Sequence, residues 1–329
     1  MKAVLISILI AFFHFVSLAN NYYVSNYGED SGHGTESNPW KTIQHAVDSV
    51  VAGDTIYVRQ GTYREQVNIA KSGSSSEGFI TIRNYEGEIP IIDGTSIYTS
   101  ESWSPLIRIE NQSYIIVKGF EIRNLVSANQ ASVPIGILVT GQGTQIQLLE
   151  NTVHHIKHQN VSSEGGNAHG IAVYGTNGTN SINNLIIVGN TVRNCKLGWS
   201  ESLVLNGNVE NFLVSRNLIH DNDNIGIDFI GWEKTASAND QTRNGIVSQN
   251  TVYNISSFDN PAYAGERSAA GIYVDGGKNI IIERNCVYQC DFGIEVASEN
   301  QGKTTSEISV RDNIFFYNNV TGMGFGGYD

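Results

Sequence analysis

Short runs of β-branched and aliphatic residues alternate with polar ones along most of the chain, bounded by Gly and Asn. The stretch "NDNIGIDFIG" at residues 222–231 is representative: Ile225, Ile227 and Phe229 alternate, and Asp228 sits between two of them. A two-residue period sends neighbouring side chains to opposite faces, so Asp228 is expected to point away from the core that Ile227 and Phe229 enter. Two families of such runs recur. One comprises "LLENTV", "IVGNTV", "VSRNLI", "VSQNTV", "IERNCV" and "VRDNIF", with asparagines at Asn151, Asn190, Asn217, Asn250, Asn285 and Asn313 spaced 27 to 39 residues apart. Between them lie "GIAV", "SLVL", "GIDF", "GIYV" and "GIEV", beginning at Gly170, Ser202, Gly226, Gly271 and Gly293.

Two series that keep their order over variable spacing predict an all-β, right-handed parallel β-helix, a solenoid in which each coil pairs with the next. A β-sandwich would repeat hairpin signatures, and these do not repeat. The recurring Asn is expected at a left-handed turn position, bonded to its equivalent one coil away. Registering the second series puts Ile171, Leu203, Ile227, Ile272 and Ile294 inside. The outward column becomes Ala172, Val204, Asp228, Tyr273 and Glu295, followed by Tyr174, Asn206, Ile230, Asp275 and Ala297. In "NPWKTIQHAVDSV", Ile43, Ala46, Val47 and Val50 share one helical face, which predicts a short capping helix within residues 40–52. The chain stops at "GMGFGGYD" in what reads as a further coil, so a longer protein truncated at its C-terminus is expected.

The opening "MKAVLISILIAFFHFVSLAN" has one Lys, an apolar run and small residues at Ser17 and Ala19, which reads as a signal peptide over residues 1–19. A secreted, extracellular or periplasmic β-helix over residues 20–329 follows, with no membrane span and a monomer when full length. Net charge is −12, which argues against nucleic acid as partner. Charged residues make up only 16%, so each carboxylate on a strand face counts as a candidate. Cys195, Cys286 and Cys290 are too few for a disulfide framework and read as buried free thiols, with a Cys286–Cys290 pair as the alternative.

The segment at residues 22–69, "YYVSNYGEDSGHGTESNPWKTIQHAVDSVVAGDTIYVRQGTYREQVNI", resembles the N-terminal cap of secreted β-helix polysaccharide lyases, of which the family-nine pectate lyases are one group. That resemblance implies an acidic polysaccharide substrate, Ca²⁺ held by an aspartate cluster, and a lysine that abstracts a proton. "HDNDNIGID" supplies Asp221, Asp223 and Asp228 but no adjacent aspartate pair.

The expected calcium ligands are Glu201, Asp221, Asp223, Asp228, Asp275 and Glu295, oxygen donors that suit a hard cation. Lys234, Arg243, Tyr273 and His220 are the candidate proton-transfer groups for β-elimination at a uronic acid. Asn206, Trp199, Trp232 and Tyr263 are the candidate sugar contacts, beside long loops at residues 154–169, 231–245 and 253–270. His154, His155, His158 and His169 lack metalloenzyme spacing and read as loop histidines. An outward Asp228 is expected to contribute little to folding. Hydrolysis by Asp228 and Glu295, two coils apart, is the alternative chemistry. Uronate epimerisation and a non-catalytic glycan-binding solenoid complete the set.

Overall fold

The structure, a computed structural model, describes residues 19–99 and 102–327. The leader read from the sequence lies outside the described residues except for Ala19. One ten-stranded and two nine-stranded sheets run the length of the molecule, with parallel pairing between successive coils. Each coil gives one strand to each sheet in turn. In a central coil these are Val209–Ser215, Leu218–Asn222 and Ile227–Ile230, before the chain returns to the first sheet at Arg243–Ser248. The winding is right-handed, with about ten turns.

The columns read from the sequence are the columns of the third sheet. Ile171 pairs with Leu203, Leu203 with Ile227, Ile227 with Ile272 and Ile272 with Ile294. All five are fully buried. Each such side chain withdrawn from water contributes roughly 1.5–3 kcal/mol before entropy is counted. The apolar stack is therefore the main force holding coil on coil.

The asparagines form a continuous buried ladder at the turn from the first sheet to the second. Nδ2 of Asn151, Asn190, Asn217, Asn250 and Asn285 donates to Oδ1 of the next asparagine at 2.9–3.1 Å. The same Oδ1 atoms accept the preceding asparagine's backbone N–H. The left-handed residue is not the asparagine, as the sequence led us to expect, but the one before it: Glu150, Gly189, Arg216, Gln249, Arg284 and Asp312 have φ between 55° and 71°. The asparagine itself is kept for its amide, which meets donors and acceptors at once. A second left-handed position ends the strands of the second sheet, at His155, Asn194, Asp221 and Asn254.

The helix forms where expected. α1 (Ile43–Ser49) is N-capped by Thr42, whose side chain accepts from the His45 N–H, and buries Ile43, Ala46 and Val47. It lies against the first strands, Asn21–Val24, Thr55–Val58 and Val67–Ile69. All three cysteines are free thiols, Cys195 and Cys290 buried and Cys286 half-buried. Among the described residues no helix is long and apolar enough to cross a membrane.

Candidate active site

On its outer face the third sheet carries a cleft of about 500 Å³. Its floor is the column Asp228–Tyr273–Glu295, held by direct register between three successive coils. Asp275 stands two residues beyond Tyr273, on the coil between Asp228 and Glu295. Four connections wall the cleft: Trp199 and Glu201 come before the strand Leu203–Gly207, Glu233 after Ile227–Ile230, Tyr263 and Ser268 before Ala270–Asp275, and Glu299 after Phe292–Ala297. Trp199 and Tyr263 pack as a tilted ring pair, centroids 4.7 Å apart.

Loop cover changes the character of Asp228. It does face away from the core, but it is only 2% exposed, and its Oδ1 has no hydrogen-bond partner among the described residues. The expectation that an outward Asp228 contributes little to folding is corrected: the walls around it remove the water, and burying an unpartnered carboxyl is costly. Asp275 is equally buried, and its Oδ1 accepts from the Glu299 N–H at 2.7 Å. Glu295 is half-buried, while Glu233 and Glu299 are exposed at the rim. Asn206 joins through its Nδ2, which donates to Glu233 at 2.7 Å.

Six carboxyl groups share this cleft, and no Lys, Arg or His lines it among the described residues. Burial, then repulsion from Glu201 and Asp275, pushes the Asp228 carboxyl well above the usual range. Burial and Glu233 do the same to Glu201. Burial pushes Asp275 up to about 7, with the Glu299 N–H opposing and neighbouring carboxylates reinforcing the rise. Glu295 is raised by burial and then by Glu299. Behind Glu201 lies His169, held down at about 4 by burial and hence neutral. Its Nδ1 is 3.4 Å from a Glu201 carboxylate oxygen, and its Nε2 is 3.3 Å from the Tyr174 hydroxyl.

The calcium-ligand set read from the sequence divides. Glu201, Asp228, Asp275 and Glu295 meet in the cleft; Asp221 and Asp223 do not. Asp221 holds the left-handed position that ends Leu218–Asn222 and takes hydrogen bonds from His220 and Asn254. Asp223 accepts the Leu197 N–H at 2.7 Å in a separate groove with Lys157 and Lys196. The chain turns a corner between Asp223 and Asp228, so nearness in sequence misleads. Among the described residues no three His, Cys, Asp or Glu side chains converge to hold a metal ion.

Of the proton-transfer candidates only Tyr273 is in the cleft. His220 stacks on Tyr253 in the second sheet, centroids 4.7 Å apart. Arg243 pairs with Glu210 in the first sheet at 3.0 Å. Lys234 is exposed, its N–H tied to Asp240 in a turn. Of the sugar contacts, Trp199 and Tyr263 are in place, whereas Trp232 lies outside the wall under Lys303. Sequence reasoning missed Glu233, Glu299, His169 and Tyr174. The first two carried a signal: each is an acidic residue just past a third-sheet strand in a charge-poor chain.

Residues 22–199 match the family described as "Pel9A-like, right handed beta helix region". The chain belongs to this Pel9A-like right-handed β-helix family. Residues 184–328 match a second family, "Right handed beta helix region". The protein YwoF of Bacillus subtilis (strain 168) is 43% identical over 335 residues, covering 100% of this chain and 70% of that protein. Among solved structures, the GH136 lacto-N-biosidase from Eubacterium ramulus superposes with a TM-score of 0.66 at 15% identity, over 90% of this chain and 56% of that one. Pectate lyase Pel9A superposes with a TM-score of 0.58 at 14% identity, over 92% and 79%. At these identities the structural likenesses are of fold. The Pel9A-like match ends at residue 199, before Glu201 and every other cleft carboxyl.

Proposed function

We propose that the chain is a carbohydrate-active enzyme that hydrolyses glycosidic bonds, with Asp275 as general acid and Glu295 as general base. The observation that carries this reading is a walled cleft of carboxyl groups in unequal surroundings, with no Lys, Arg or His side chain lining it among the described residues. An acid poised near 7 suits proton donation at neutral pH, and Asp275 is at about 7. Glu295 is nearer solvent and sits diagonally one coil on, about 7–8 Å away between backbones. With both side chains on the same face, that offset leaves room for the roughly 6.5–9.5 Å between the carboxyl groups of an inverting pair.

In the reaction the Asp275 O–H donates its proton to the glycosidic oxygen as the bond to the anomeric carbon breaks. Glu295 takes a proton from a water attacking the opposite face of that carbon. The products are a free alcohol and a hemiacetal of inverted configuration; the protons on the two carboxyls re-equilibrate with solvent. The Trp199–Tyr263 pair supplies ring faces for a sugar. Export, read from the apolar run at residues 1–19, would place this chemistry on glycans outside the cell.

Elimination at a uronic acid is the second reading, favoured by the family match over residues 22–199. It has to bring an anionic sugar among six carboxyl groups with no basic side chain in the lining among the described residues. Incubation with neutral, amino-sugar and uronate oligosaccharides, with and without chelator, separates the two. Hydrolysis gives new reducing ends without ultraviolet absorbance and survives chelation. An absorbing unsaturated end that chelator abolishes would overturn the hydrolase reading.

A further inference from the structure

The cleft is rich in hydrogen-bond acceptors and poor in donors. A carboxylate only accepts, and even a protonated carboxyl donates one bond. Three donors are already engaged: Asn206 Nδ2 with Glu233, the Tyr273 hydroxyl with Glu299 at 3.2 Å, and the Glu299 N–H with Asp275. That leaves the Tyr263 and Ser268 hydroxyls and the Trp199 indole N–H to face six carboxyl groups. At the deepest point Asp228, buried to 98%, keeps an Oδ1 that nothing among the described residues satisfies. Buried polar atoms are almost always paired, so an orphan facing a cleft marks the place of a ligand's donor. The catalytic pair proposed above leaves Asp228 free for that role.

A uronate would add acceptors and negative charge here. A neutral hydroxyl would add one donor and no charge. A protonated primary amine offers three donors and a positive charge on a small group, which matches both shortages. The adjoining Trp199 and Tyr263 rings favour a cation with apolar C–H faces around it. We propose that the substrate is a glycan containing amino-sugar residues with free amines, and that Asp228 Oδ1 receives the ammonium group. This rests on the hydrolase reading for its catalytic pair, not for the binding contact. Placing a cation among Glu201, Asp228, Glu233, Asp275, Glu295 and Glu299 favours their ionised forms, so binding should release protons.

The probes are a β-1,4-glucosamine hexasaccharide, its fully N-acetylated counterpart and a galacturonate hexasaccharide. Binding is measured by calorimetry at mildly acid pH on the full chain carrying Asp275→Asn, so that nothing is cleaved. The amine hexamer is expected to bind at least about tenfold tighter than the acetylated one, with net proton release. Adding Asp228→Asn should erase most of that preference. Equal or tighter binding of the acetylated chain, a preference that survives Asp228→Asn, or tightest binding of the uronate overturns the proposal. Should the double variant not fold, salt decides on the single variant: the amine preference must shrink steeply as ionic strength rises, and a salt-independent preference overturns it. Cleavage by the unsubstituted chain is scored separately. Hydrolysis of the acetylated chain without amine-selective binding removes the amine and keeps the hydrolase; amine-selective binding without cleavage of any chain does the reverse.

Discussion

Asp275→Asn should make the protein more stable and less active. The carboxyl is raised from an ordinary 3.8 to about 7, a difference of about three pH units, each worth ~1.4 kcal/mol. Below pH 4 it is neutral in folded and unfolded chains alike and costs nothing. As pH rises, the unfolded chain gives up its proton while the folded chain keeps it, so stability falls until about pH 7 and then levels. The full loss is on the order of 4 kcal/mol. Asparagine has no such slope, and its Oδ1 can still accept the Glu299 N–H that Asp275 accepts at 2.7 Å. The variant should therefore match the parent near pH 4 and exceed it progressively up to pH 7. Urea denaturation followed by tryptophan fluorescence across this range measures the difference directly. Parallel pH profiles, or a variant less stable at pH 7, would refute the reasoning, because they would mean that Asp275 ionises in the fold without penalty. In the same variant, kcat should fall about 10²–10⁴-fold through loss of the proton donor.

The remaining predictions use other parts of the molecule. Glu295→Gln should lower kcat by a similar factor, and NMR of the first product formed by the parent should show inverted anomeric configuration; retention would exclude a water-activating Glu295. Trp199→Ala, at a residue 42% exposed, should raise KM about tenfold with little change in unfolding midpoint, as loss of a stacking surface predicts. Asn217→Ala removes bonds to Ile187 and Asn250 and strands the Asn190 amide. It should cost about 3 kcal/mol or more in denaturant titration, and a change below ~0.5 kcal/mol would show that the ladder is incidental.

How much of this was legible in the sequence follows from what each feature depends on. The inward column from Ile171 to Ile294 could be read because it needs only a two-residue period and a repeat. The outward column Asp228–Tyr273–Glu295 came with it, since one register fixes both faces. The asparagine spacing revealed the ladder but not its geometry, because the left-handed residue before each asparagine varies among Glu, Gly, Arg, Gln and Asp. Burial of Asp228 was illegible, as it is conferred by loops whose folding over the sheet has no periodicity. For the same reason Asp221 and Asp223 looked like partners of Asp228. A few residues of chain are enough to round a corner of the solenoid.

The asparagine ladder lies on the edge between the first and second sheets, and the cleft lies on the outer face of the third. Stacking order is thereby enforced on one side of the molecule and specificity is written on another. Segments such as residues 231–242 and 256–269 join strands whose alignment is already locked by amides remote from them. They can be lengthened, shortened or exchanged without slipping one coil against the next. An ancestor that acquired this edge could have tried many sugars by trading loops, and a designer can do the same.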